Sequence, residues 1–117
     1  MGLSTHVLDT MHGLPAAGMQ VALYTVDREI PTLVRRFTLN QDGRNPDGLL
    51  YDDKNLQRGL YRLEFDVAAY FRGKQVVLPE PNFLNRVTLD FGVARTDQHY
   101  HVPLLVSPWS YSTYRGS

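Results

Sequence analysis

Four histidines are the residues of this chain best suited to proton transfer: His6, His12, His99 and His101. Imidazole ordinarily titrates near pH 6.5 (about one unit either way in proteins), so it can take and return a proton at neutral pH. His6 stands mid-strand among Leu3, Val7 and Leu8. Taken alone, it reads first as a core or surface histidine with a satisfied hydrogen bond. His101 reads the same way alone, but it shares a strand face with His99, and such a pair can chelate a metal ion. No carboxylate or third ligand accompanies the pair, which leaves a metal site incomplete. His12, in the turn before Gly13, is expected to be solvated. Arg44 follows Asp42-Gly43 in a polar loop and reads alone as a solvated turn residue. Arg115 lies close to the carboxylate expected at Ser117, where a guanidinium offers paired hydrogen bonds to a carboxylate or a flat polar ligand; the plainer reading is an exposed terminal charge. Ser107, Ser110, Ser112 and Ser117 sit in no Gly-x-Ser-x-Gly turn, which disfavours a serine-hydrolase triad. With no cysteine in the chain, disulfides, thiolate metal sites and a cysteine nucleophile are excluded.

The elements that must position these groups are short strands. Residues 3–10 alternate Ser4, His6, Leu8 and Thr10 against Leu3, Thr5, Val7 and Asp9, the pattern of a half-buried strand. A turn over 12–18 leads to a strand over 19–26, a turn over 27–31 and a strand over 32–39. Residues 40–48 form a loop dense in turn formers, with a short edge strand at 49–51. A clear alternating strand covers 59–65. The period then breaks, and 66–71 reads as a short helix capped by Asp66. After a loop around Pro79 and Pro81 comes a strand over 85–92. The closing hairpin places Tyr100, Val102, Leu104 and Val106 on one face and His101, Pro103 and Leu105 on the other, turns at 107–110, and returns over 111–116. There Ser112, Tyr114 and Gly116 share a face. Seven or eight short strands at regular spacing with one short helix indicate an all-β sandwich.

Length and composition set the outer limits. The 117 residues fit one domain, spanning 1–117. Apolar content of 43% suffices for a core, and twelve basic residues balance twelve acidic ones. Without a basic block, nucleic acid and anionic membrane are not expected partners. No apolar run is long enough for a bilayer span, and the N-terminus lacks a secretory pattern. Met1-Gly2 opens like a myristoylation site, but His6 stands where Ser or Thr is required, and Arg-Gly-Ser is not a peroxisomal ending. Cytoplasm is the default compartment, with periplasm and peroxisome as alternatives.

Several stretches, in order along nearly the whole chain, resemble the transthyretin-like 5-hydroxyisourate hydrolases: Leu3-Ser4-Thr5-His6-Val7-Leu8-Asp9, Asp42-Gly43-Arg44, Tyr61-Arg62-Leu63 with Phe65-Asp66 and Ala69-Tyr70-Phe71, His101 to Pro108, and the ending Tyr111-Ser112-Thr113-Tyr114-Arg115-Gly116-Ser117. The terminal Tyr-Arg-Gly-Ser is the most specific of these. The hormone carrier transthyretin shares the fold but lacks the histidines, the arginine and that tetrapeptide.

The resemblance implies a transthyretin-like (prealbumin-like) β-sandwich of two four-stranded sheets with one short helix. It also implies a homotetramer with active sites in the channel where dimers meet. The implied reaction opens the cyclic amide of 5-hydroxyisourate in urate degradation, without a cofactor or metal. In it His6 and His101 are the acid/base candidates, Arg44 holds the substrate or its oxyanion, Tyr114 and Ser117 complete the pocket, and Arg115 orients the terminus. Three other classes stay open on the residues: a non-catalytic carrier of small aromatic ligands, a histidine-metal hydrolase, and a plain interaction module. Turnover of fresh substrate separates enzyme from carrier, activity after chelation tests the metal reading, and inert histidines would favour the module.

Overall fold

Period-two alternation becomes strand along most of the chain. In β1 (Gly2–Asp9), Leu3, Thr5, Val7 and Asp9 are buried while Ser4, His6 and Leu8 are half-buried. In β8 (Tyr100–Val106), Tyr100, Val102, Leu104 and Val106 enter the core. The computed structural model describes residues 2–117; Met1, the first residue of the expected domain, lies outside the described residues.

The strands form two sheets. One runs β2 (Leu14–Pro15), β1, β8, β9 (Tyr111–Thr113), and the two-residue β5 (Tyr51–Asp52) pairs with the start of β1. The other runs β4 (Ile30–Thr38), β3 (Gln20–Asp27), β6 (Gly59–Asp66), β7 (Arg86–Val93). The expected all-β sandwich is present, with the short helix α1 (Val67–Gly73) after β6. β5 brings the first sheet to five strands where four were expected. Between the sheets lie Leu3, Val7, Leu23, Leu63, Phe65, Val87 and Leu104, each almost wholly removed from solvent. Burial of such side chains, at about 1.5–3 kcal/mol each, is the main force holding the layers together.

Every strand pairing is antiparallel except that of β1 with β8. Their parallel register sets Ser4 opposite His101 and His6 opposite Pro103. The two strands thus carry His6 and His101 out of the same sheet face as diagonal neighbours.

Some local expectations are corrected. The turn over 27–31 is tighter than its composition indicates. Asp27 pairs with Ile30, and only Arg28 and Glu29 turn, both with positive φ (51° and 67°). Pro31 sits inside β4, an edge strand that tolerates a missing donor. Asp66 precedes α1 but makes no capping bond. Its carboxylate takes the Arg86 guanidinium instead, at 3.2 Å, and the Asn85 carbonyl accepts the Ala68 N–H. The return strand ends at Thr113 rather than 116; beyond it only a bridge between His101 and Gly116 remains. His12 is not merely solvated. Its ring Nδ1 and backbone N–H both bond the buried Asp9 carboxylate, at 2.6 and 3.0 Å.

Candidate active site

Strand alternation puts His6 on the open face of β1, and a loop then folds over it. Asn40 organises that loop: its Oδ1 accepts the N–H groups of Asp42 and Arg44, and its own N–H donates to the Arg44 carbonyl. The loop docks on β1 through the Val7 N–H, which donates to the Gly43 carbonyl at 3.0 Å, and through an antiparallel bridge between His6 and Arg44. Gly43 is needed here for two reasons. Its φ is 73°, and a Cβ would lie 2.5 Å from the Val7 carbonyl oxygen, a left-handed conformation and a close approach that glycine alone accepts easily. Residues far apart in sequence thereby place Arg44 beside His6.

His101 is held from two sides. Across the parallel register, Ser4 Oγ lies 2.8 Å from its Nδ1. The same oxygen lies 3.1 Å from His99 Nε2. On the other side runs the final segment: His101 and Gly116 exchange backbone bonds of 3.2 and 2.7 Å. A Cβ on Gly116 would sit 3.1 Å from His101 Cβ and Cδ2, so a residue without a side chain lets the backbone pass against the ring. The rings of His6 and His101 are 6.5 Å apart, tilted by 33°.

The electrostatics of the face favour neutral imidazoles. His6 is held below the ordinary histidine value first by burial and then by the Arg44 charge, with the backbone and charge of Asp42 opposing. His101 is lowered in the same direction by burial, then by Arg44, His6 and His99. Neutral imidazole can accept a proton at pH 7, and a fixed guanidinium nearby can hold an oxyanion.

His6, Arg44 and His101 thus share one face. The other expected residues lie on the final segment. Arg115 turns away from that face: its guanidinium sits 4.2 Å over the Tyr100 ring and donates to Gln98 Oε1 and the His99 carbonyl. Tyr114, expected on the face of Ser112, comes after the regular strand ends, and with Arg115, Phe91 and Tyr100 it lines a cleft between the two sheets. Ser117 is exposed. One contributor was not singled out in the sequence as a site residue: Ser4. The available signal was the shared strand face of Ser4 and His6. Gly116, in the closing segment expected to belong to the pocket, does pass close, against the His101 ring.

Residues 3–116 match the family model described as the HIUase/Transthyretin family. A 5-hydroxyisourate hydrolase of Deinococcus radiodurans is 52% identical over 116 residues, covering 99% of this chain and 96% of that one. One from Pseudomonas aeruginosa is 48% identical over 115 residues, 98% of this chain and 90% of the other. Among solved structures, Klebsiella pneumoniae 5-hydroxyisourate hydrolase superposes with a TM-score of 0.78 at 31% identity, over the full length of both chains.

Proposed function

Since this chain belongs to the HIUase/Transthyretin family, we propose that the face shared by His6, Arg44 and His101 is where it hydrolyses its substrate. The protein is a 5-hydroxyisourate hydrolase: with water it opens the cyclic amide of 5-hydroxyisourate, giving 2-oxo-4-hydroxy-4-carboxy-5-ureidoimidazoline in urate degradation. Hydrolases of this name at about half identity over the whole chain favour this reading over a ligand carrier. The observation that carries the site is the meeting of two lowered histidines with one guanidinium.

The chemistry assigns roles. One histidine takes the proton of the attacking water, and the other returns a proton to the leaving ring nitrogen. Arg44 holds the substrate and the oxyanion that forms at the attacked carbonyl. Tyr114 and Ser117 are proposed to complete the pocket, although in the single chain Tyr114 lines the cleft between the sheets and Ser117 is exposed. Arg115 secures the segment that carries them by clamping it onto residues 98–100. No cofactor takes part in these roles.

A homotetramer is the proposed assembly. The histidine face is open in the single chain, and Trp109, Tyr111 and Tyr114 are exposed beside the edge strand β9. Exposed aromatic surface next to an unpaired edge calls for a partner. Nucleic acid and membrane are not proposed as partners; no described helix is long and apolar enough to cross a bilayer. The cytoplasm is the proposed location.

The test is turnover of fresh substrate. Protein added to urate plus urate oxidase should speed the decay of the intermediate's absorbance. His6→Ala and His101→Ala should each lower turnover by about two to four decades, with an unchanged circular dichroism spectrum. Near-normal turnover in either folded variant removes that histidine from the mechanism.

A further inference from the structure

Ser4 Oγ stands between two imidazole nitrogens, 2.8 Å from His101 Nδ1 and 3.1 Å from His99 Nε2. Both separations are hydrogen-bonding distances. A serine hydroxyl has one proton to donate and two lone pairs to accept with. It can donate to only one of the two rings, and whenever it does the other ring must donate to it; both rings can donate only if the serine proton points elsewhere. We infer that Ser4 is a positioning residue that keeps its proton between His101 and His99 and so locks them into matching tautomers, with the proton state of His101 following that of His99.

Two arrangements keep the serine proton between the rings. When Ser4 donates to His101 Nδ1, that ring carries its proton on Nε2, and His99 must also carry a proton on Nε2 to reach the serine oxygen. When Ser4 donates to His99 Nε2, both rings carry their protons on Nδ1. Passing from the second arrangement to the first moves the His101 Nδ1 proton onto Ser4 while the serine proton moves onto His99 Nε2. The surplus protons balance elsewhere: Nε2 of His101 gains one from the reacting water, and Nδ1 of His99, a half-exposed residue, loses one to solvent. In the second arrangement His101 Nε2 has a free lone pair and can act as a base; in the first it carries a proton and can act as an acid. One hydroxyl thus ties the acid and base forms of His101 to a residue that does not touch the reacting atoms.

The bearing on turnover rests on the hydrolase reading above; the tautomer coupling does not. Two-bond proton–nitrogen correlation spectra of the unliganded protein, labelled with nitrogen-15 histidine and recorded near pH 8 where imidazoles are neutral, should show His99 and His101 as the same tautomer. Ser4→Ala should change the His101 signals and lower kcat by about tenfold to a hundredfold, taking the loss of a partner that orients a metal-bound imidazole as the guide, with KM little altered. Ser4→Thr keeps the hydroxyl and should recover most of both losses. His99→Phe removes the ring on the far side of Ser4. Read near pH 8 as a change of His101 tautomer rather than of its pKa, on which His99 also acts directly, it tests the coupling even if Ser4→Ala fails to fold. Opposite tautomers in the unaltered protein, or unchanged His101 signals in the folded variants, would overturn the coupling. A kcat within twofold of the original in folded Ser4→Ala would overturn its role in turnover. Should the unaltered protein not consume 5-hydroxyisourate, the hydrolase reading fails while the spectra still decide the coupling.

Discussion

At the scale of single residues, the surroundings of the proposed site favour neutral imidazole. Burial comes first for His6 and His101, and the Arg44 charge adds to it. Both effects disfavour the protonated ring, so both values move below 6.5. The sign for catalysis follows: the base form persists as the pH drops into the range where an ordinary histidine charges. The acid limb of kcat/KM, which reports the free enzyme, should fall below pH 6.5 and move toward it in Arg44→Gln. A limb above 6.5 in the unaltered enzyme, read from a pH series, would contradict this account. The strand faces of His6 and His101 were legible because period two fixes them, while their pairing as acid and base came only from the family resemblance. The part played by Ser4 was not legible, because its contact with His101 depends on how two strands align, and no local pattern states the register of residues 97 apart in sequence.

At the scale of elements, two glycines and one carboxylate set the geometry. Gly43→Ala would place a methyl 2.5 Å from the Val7 carbonyl at a φ of 73°. That strain, about 1–3 kcal/mol, should lift the loop that carries Arg44, lowering both melting temperature and turnover. Gly116→Ala is milder: its methyl meets the His101 ring at 3.1 Å, and a shift of a few tenths of an ångström relieves it. Its expected mark is a reduced kcat with a melting temperature near the original. Equal stability losses in the two variants would show that Gly116 serves packing rather than the ring.

The Asp9 carboxylate, where β1 gives way to its turn, is fully buried and accepts bonds from the His12 N–H, the His12 ring and the Tyr70 hydroxyl on α1, the last at 2.8 Å. Burial acts to raise its pKa, but these bonds prevail and hold it below the ordinary 3.8. For a carboxylate lowered by folding, the stability gained is present above its ordinary value and is lost as pH falls through the folded one. Tyr70→Phe should cost about 1.5–3 kcal/mol near pH 7, as for a hydrogen bond to a charged group, and the cost should shrink on acidification below 3.8. Denaturant midpoints at two pH values check this. The sequence placed Asp9 on the inward face but left His12 in solvent, because a turn rich in glycine and proline says nothing about a ring that folds back on the strand before it.

At the scale of the whole molecule, the alternating pattern was enough to specify a sandwich, since each strand carries one apolar face and two such sheets must cover each other. The parallel pairing at the heart of one sheet was not legible from that pattern, which is the same for either strand direction. A single chain offers the histidine face only one wall. Light scattering near neutral pH should therefore give a tetramer; an active monomer at assay concentration would rule out a site shared between subunits.

The parallel contact of β1 with β8 also has a consequence in time. In the other sheet, β3 and β4 are joined by a two-residue turn, so part of its pairing is available as soon as a short piece of chain exists. β1 must instead wait for a partner that follows nearly the whole remaining sequence, and pairings between distant segments form slowly because the intervening loop has to close first. On a ribosome, β1 emerges long before β8, the neighbour that completes its sheet. In pulse-labelled refolding, amide protons of Val21, Leu23 and Leu63 should become protected from exchange before those of Thr5 and Leu104. The reverse order would mean that the two ends of the chain find each other first.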